Sequence, residues 1–93
     1  MKSRTTDKFW KSFDILPAEI KKKAKETYQL FQKDPYHASL HFKRIHSNRP
    51  IFSVRVSKSY RAVGVVEKDE IIWFWIGSHS EYDKLIKTMR GTK

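Results

Sequence analysis

The chain has 93 residues, enough for one domain with one modest core, and it carries no repeat or Gly/Ser-rich linker that would mark a second. Its 20 lysines and arginines stand against 10 acidic residues, and the resulting formal charge of +10 favours a polyanionic partner, either nucleic acid or an acidic protein. With no cysteine there is no thiol catalysis, thiolate metal site or disulfide; with no apolar leader and no apolar run of about 18 residues, the expected compartment is the cytoplasm and no membrane is involved.

The opening "MKSRT" has room for a short edge strand but too little pattern to require one. Phe9, Trp10, Phe13 and Leu16 then recur at helical spacing, with Thr6 or Asp7 placed to cap the start. Pro17 suits the first turn of a second helix, whose stripe of Ile20, Ala24, Thr27, Tyr28 and Phe31 runs until Asp34-Pro35 stops it. Lys21, Lys22, Lys23 and Lys25 mostly fall off that stripe and read as a solvated face rather than a nucleic-acid site.

After Pro35 the pattern becomes strand-like, in runs at 40–45, 51–57, 60–66 and 70–78 separated by short polar turns. Four strands so connected form an antiparallel meander. Small residues at Ala62 and Gly64 leave room for a helix to lie close on one face. Tyr82, Leu85, Ile86 and Met89 then mark a closing helix, with Ser80 and Asp83 in capping-box spacing. The whole is α+β: an N-terminal helical hairpin on a four-stranded antiparallel sheet, with a C-terminal helix.

Strand parity decides whether the polar residues meet. A three-residue turn at Lys58–Tyr60 sets Ser57 opposite Arg61 and brings Arg55 and Arg61 to one face, whereas a two-residue turn at Lys58–Ser59 separates them. In the next hairpin, pairing Glu67 with Ile71 sets Arg61 opposite Gly77 and carries His79 to the arginine face; a two-residue turn at Lys68–Asp69 sends it away. The first turn contains no Gly or Asn that would favour the tight form. Ser80 as N-cap would aim the positive end of the last helix at an anion beside His79. Against this stands a plainer reading, in which His79 is a helix-entry residue, the arginines merely flank strands and Tyr82 packs under its helix. His37, His41 and His46 lack ligand spacing, so no metal or other cofactor is expected, and no Gly-rich phosphate loop, nucleophile elbow or carboxylate pair occurs.

The order of elements and three blocks resemble the RelE/ParE superfamily of type II toxin–antitoxin toxins. The blocks are Phe9-Trp10 through Leu16-Pro17, Asp34-Pro35 and Phe42-Lys43; Arg55-Val56 with Tyr60-Arg61-Ala62; and Trp73 through Trp75-Ile76-Gly77, His79 and Glu81-Tyr82-Asp83. RelE-type members are metal-independent endoribonucleases that cleave mRNA on the ribosome by attack of a 2′-hydroxyl on its own adjacent phosphate. The resemblance implies Arg61, assisted by Arg55, for the phosphate, His79 as general acid or base, and Tyr82 to orient or stack a base. It implies Lys43, with Arg44 and Lys58, for substrate binding, and an acidic antitoxin, mRNA and the ribosome as partners, with antitoxin-bound oligomers. The alternatives within the same fold are a ParE-like gyrase inhibitor and an inactive interaction protein.

Overall fold

The computed structural model describes residues 1–91. In chain order the elements are β1 (Lys2–Thr5), α1 (Asp7–Asp14), α2 (Ala18–Lys33), a 3-10 turn (Ala38–Leu40), β2 (Lys43–Arg44), β3 (Ile51–Ser57), β4 (Tyr60–Glu67), β5 (Glu70–Ser78) and α3 (His79–Gly91). One sheet takes the order β1-β5-β4-β3-β2, with β1 parallel to β5 and every other pair antiparallel. The N-terminal edge strand is therefore present, and the sheet has five strands rather than four.

Local chemistry accounts for the helix limits. The Thr6 hydroxyl accepts the Phe9 N–H at 3.1 Å and starts α1, which buries Phe9 and Phe13. Pro17 occupies the cap position of α2 and Asp34 ends it, donating its N–H to the Leu30 carbonyl at 2.8 Å. Phe31 is the fully buried anchor of α2, while Tyr28, assigned to the same stripe, is 39% exposed. Lys22, Lys23 and Lys25 are exposed, as the solvated-face reading requires.

The strand expected over 40–45 shrinks to Lys43–Arg44. Ala38–Leu40 coil into the 3-10 turn to bury Leu40, and His41 follows in the left-handed region at φ 47°, which no extended strand can include.

Two layers cover the sheet. On one face, Phe9, Phe13, Phe31 and Leu40 pack on Val54, Val56, Ala62, Ile71, Trp73 and Ile76. On the other, α3 lays Tyr82, Leu85, Ile86 and Met89 over Ile51, Val63, Val65 and Trp75. Gly64 does not admit a helix, as its small size suggested: a Cβ there would stand 2.9 Å from Ile71 Cγ1 and 2.9 Å from Trp73 Cε3, so the space belongs to side chains of β5.

Both turns are the tight form. Ser57 pairs with Tyr60 across Lys58-Ser59, and Glu67 pairs with Glu70 across Lys68-Asp69. Taken alone, each would reverse the faces. Each hairpin also holds a bulge, one between Arg55 and Ser57 that leaves Val56 unpaired, and one opposite Val63-Gly64 that leaves Phe74 unpaired. The bulges cancel the turns: Arg55 lies opposite Arg61, Val63 opposite Trp75 and Arg61 opposite Gly77. The expected sharing of a face holds, by a different route.

Candidate active site

The cross-strand pair Arg55–Arg61 sets two like charges on neighbouring strands at the open end of the α3 face. Arg61 is held by its own turn, its Nη1 donating to the Ser57 carbonyl at 2.7 Å and to the Tyr60 carbonyl at 3.0 Å. Burial, and after it the Arg55 guanidinium, pull the Arg61 pKa below the ordinary arginine value, while Tyr82 and Asp83 act in the opposite sense. A partly desolvated cation beside a like charge gains most when an anion arrives, so the electrostatics of this corner favour a negative charge.

His79 enters from the end of β5, two residues beyond the Gly77 partner of Arg61. Its backbone N–H, otherwise an orphan of the helix start, donates to the Ser59 carbonyl at 2.7 Å and ties α3 to the Lys58-Ser59 turn. The imidazole is exposed, with Nδ1 3.3 Å from Asp83 Oδ2 and the ring edge-on to Tyr82 at 5.9 Å between centroids.

The helix cap expected at Ser80 lies two residues earlier. Ser78 Oγ accepts the Glu81 N–H at 3.3 Å, while Glu81 Oε1 accepts from the Ser78 N–H at 3.2 Å and from its hydroxyl at 3.0 Å, a reciprocal capping box. The positive end of α3 thus carries its own carboxylate and is not an open anion site.

The other expected site residues divide. Lys43 pairs with Ser53 and so lies on the α3 face, two strand positions from the Arg55 level, roughly 7 Å along the strand. Lys58 is exposed at the tip of the turn that holds His79. Arg44 faces away from Lys43, and its Nε donates to the carbonyls of His46 at 2.9 Å and Arg49 at 3.2 Å, bracing the following loop. Tyr82 is 5% exposed and its hydroxyl donates to Ser53 Oγ at 3.0 Å, so its ring is a wall of the core on which His79 rests.

The segment 18–84 matches the family model described as the ParE-like toxin domain. The chain belongs to the ParE-like toxin domain family. No curated protein gives a significant match. Among solved structures, this ParE-like toxin domain is similar to the Methanococcus jannaschii RelB-RelE antitoxin-toxin complex, with a TM-score of 0.71 at 23% identity over 87% of this chain and 96% of that one. It is similar also to Escherichia coli YafQ, with a TM-score of 0.68 at 12% identity over 87% and 96% of the two chains. The isolated E. coli RelE toxin matches with a TM-score of 0.63 at 14% identity over 94% and 96%. At these identities the likeness shows the fold.

A concavity of the ParE-like toxin domain lies on the opposite face of the sheet. It is an apolar cleft of about 390 Å³ between α1, α2 and the strands, floored by Val54, Ala62, Trp73 and Ile76, with Arg4 and Lys25 among its lining residues. Two polar atoms in this wall, Trp73 Nε1 and Ser3 Oγ, are buried without a hydrogen-bond partner. Sequence reasoning missed this cleft, and it missed Asp83 and Ser53 as neighbours of the site. The i, i+4 spacing of His79 and Asp83 was the available signal for the first, whereas nothing local marks Ser53, whose role depends on a helix that arrives 29 residues later. Among the described residues no helix is long and apolar enough to cross a membrane.

Proposed function

We propose that this toxin-family domain is a metal-independent endoribonuclease that cleaves mRNA on the ribosome. The observation that carries the reading is the Arg55–Arg61 cross-strand pair, with His79 following two residues after Gly77, the partner of Arg61 on β5. In the reaction the ribose 2′-oxygen bonds to its adjacent phosphorus and gives up its proton to a base, the bond from phosphorus to the 5′-oxygen breaks, and one proton is delivered to that leaving oxygen. Arg61 and Arg55 offset the charge that develops on the phosphorane oxygens, and His79 moves the proton. Lys58 and Lys43 guide the flanking backbone as exposed cations. Tyr82 contributes by supporting His79, because its buried ring offers no stacking platform.

The partner of the resting toxin is an acidic antitoxin, which the net charge of +10 favours. The cleft between the helices and the sheet is the surface it covers: apolar inside, with Lys25 and the Glu70-paired Arg4 among its lining residues.

Induced expression of wild type, His79→Ala and Arg61→Ala, with growth and ribosomal mRNA ends as readouts, tests the proposal. Growth arrest and new mRNA ends from the wild type, both lost in the variants, are the expected result. Folded wild-type protein that cuts no mRNA overturns it. The match to a ParE-like family supports one other reading, gyrase inhibition, which the same cultures distinguish by DNA damage with mRNA intact.

A further inference from the structure

Two carboxylates lie in the first turns of α3, and only one is committed to the fold. Glu81 is engaged by the Ser78 N–H and hydroxyl in the capping box. Asp83 has no such duty: its Oδ2 stands 3.3 Å from His79 Nδ1, one helical turn back, and its charge is one of the two that counter Arg55 at Arg61. The imidazole meets Tyr82 edge-on, and the backbone bond from His79 to Ser59 holds the residue's main chain in place.

We propose that Asp83 is a positioning residue for His79, accepting the Nδ1–H and thereby holding the ring in the tautomer whose Nε2 is bare. This rests on the nuclease reading for its purpose but not for its geometry. A neutral imidazole has one N–H, and a carboxylate can only accept; a ring nitrogen facing Asp83 therefore carries the hydrogen, and the proton of the reaction is taken up and given back at Nε2. The carboxylate also places a negative charge beside Arg61.

The decisive measurement is ¹⁵N NMR of the His79 ring in the full chain, compared with cleavage rates, for wild type, Asp83→Asn, Asp83→Ala and Asp83→Glu. Asp83 is 58% exposed in its side chain, so the variants are expected to melt like the wild type. Wild type is expected to carry its hydrogen on Nδ1. Asp83→Asn keeps an acceptor and that tautomer but loses the charge, Asp83→Ala shifts the hydrogen toward Nε2, and Asp83→Glu restores part of the wild-type pattern. Cleavage falls by roughly tenfold in Asp83→Ala, a fraction of the 10²–10⁴ that acid–base catalysis supplies as a whole. A wild-type ring protonated on Nε2, or a ring signal unchanged in Asp83→Ala, overturns the assignment. If wild type cuts no mRNA, the nuclease reading fails while the ring spectra still decide the contact; if wild type cuts and Asp83→Ala cuts equally well, the positioning role fails alone.

Discussion

Replacing Tyr82 with Phe removes one oxygen and leaves the ring in the core, which makes it a sharp test of whether Tyr82 supports the site or acts on substrate. Ser53 is 1% exposed, and the Tyr82 hydroxyl is its partner at 3.0 Å. The variant strands the Ser53 hydroxyl away from water, at a cost of about 1–3 kcal/mol. For a chain of this size each kcal/mol moves Tm by about 4–8 °C, so Tyr82→Phe should melt roughly 5–20 °C lower than wild type. Ser53→Ala strands the tyrosine hydroxyl instead, whereas the double variant leaves neither group in need. Its loss should fall short of the sum of the single losses by on the order of 1 kcal/mol. Urea denaturation of the four proteins gives the cycle, and ribosomal cleavage measured where all are folded gives the functional half. Equal stability of Tyr82→Phe and wild type, or strict additivity, would refute the packing argument; lost cleavage at unchanged stability would return Tyr82 to the substrate.

Gly64→Ala should destabilise by about 1–3 kcal/mol, because its Cβ would stand 2.9 Å from both Ile71 and Trp73 in a filled core; a urea midpoint equal to wild type counts against that packing. Ser78→Ala removes the capping box at the start of α3 and should cost about 1 kcal/mol, while Ser80→Ala, one turn position inside the helix, should cost little; the reverse ranking in thermal melts would place the cap at Ser80 after all. Arg55→Gln should raise stability at low salt, by on the order of 0.5 kcal/mol, since a like charge opposite Arg61 is relieved, and the gain should fade as salt is added. A stability unchanged at low salt would show that the two guanidiniums do not feel each other.

Much of this was legible in the chain, and the reasons differ by element. The aromatic stripe of α1 and the Asp34-Pro35 stop are local signals, and both helices begin and end close to where they indicate. Arg55 and Arg61 share one side of the sheet as the sequence indicates, yet the turns differ from the three-residue forms expected. Lys68 reaches φ 55° without being Gly or Asn, a strain that the surrounding ladder imposes and composition does not announce. The Lys58-Ser59 turn takes no positive φ, so it does not match the twist of its strands, and the bulge at Val56 absorbs the mismatch. At the start of α3 the sequence offers two overlapping boxes, Ser78 with Glu81 and Ser80 with Asp83. The bond from the His79 N–H to the Ser59 carbonyl, a tertiary contact, selects the earlier one.

The unpaired Val56 and Phe74 have a consequence for how such a chain can change length. Every pair on either side of each of them would survive its removal: Arg55 would still meet Arg61 and Ser57 would meet Tyr60, just as Val63 would meet Trp75 and Gly64 would meet Trp73. A lost codon elsewhere in β3, β4 or β5 would turn the rest of the strand inside out. At these two positions it would subtract one buried or partly buried side chain and leave the strand pairs on either side unchanged, so the gaps between this chain and distant relatives should collect there.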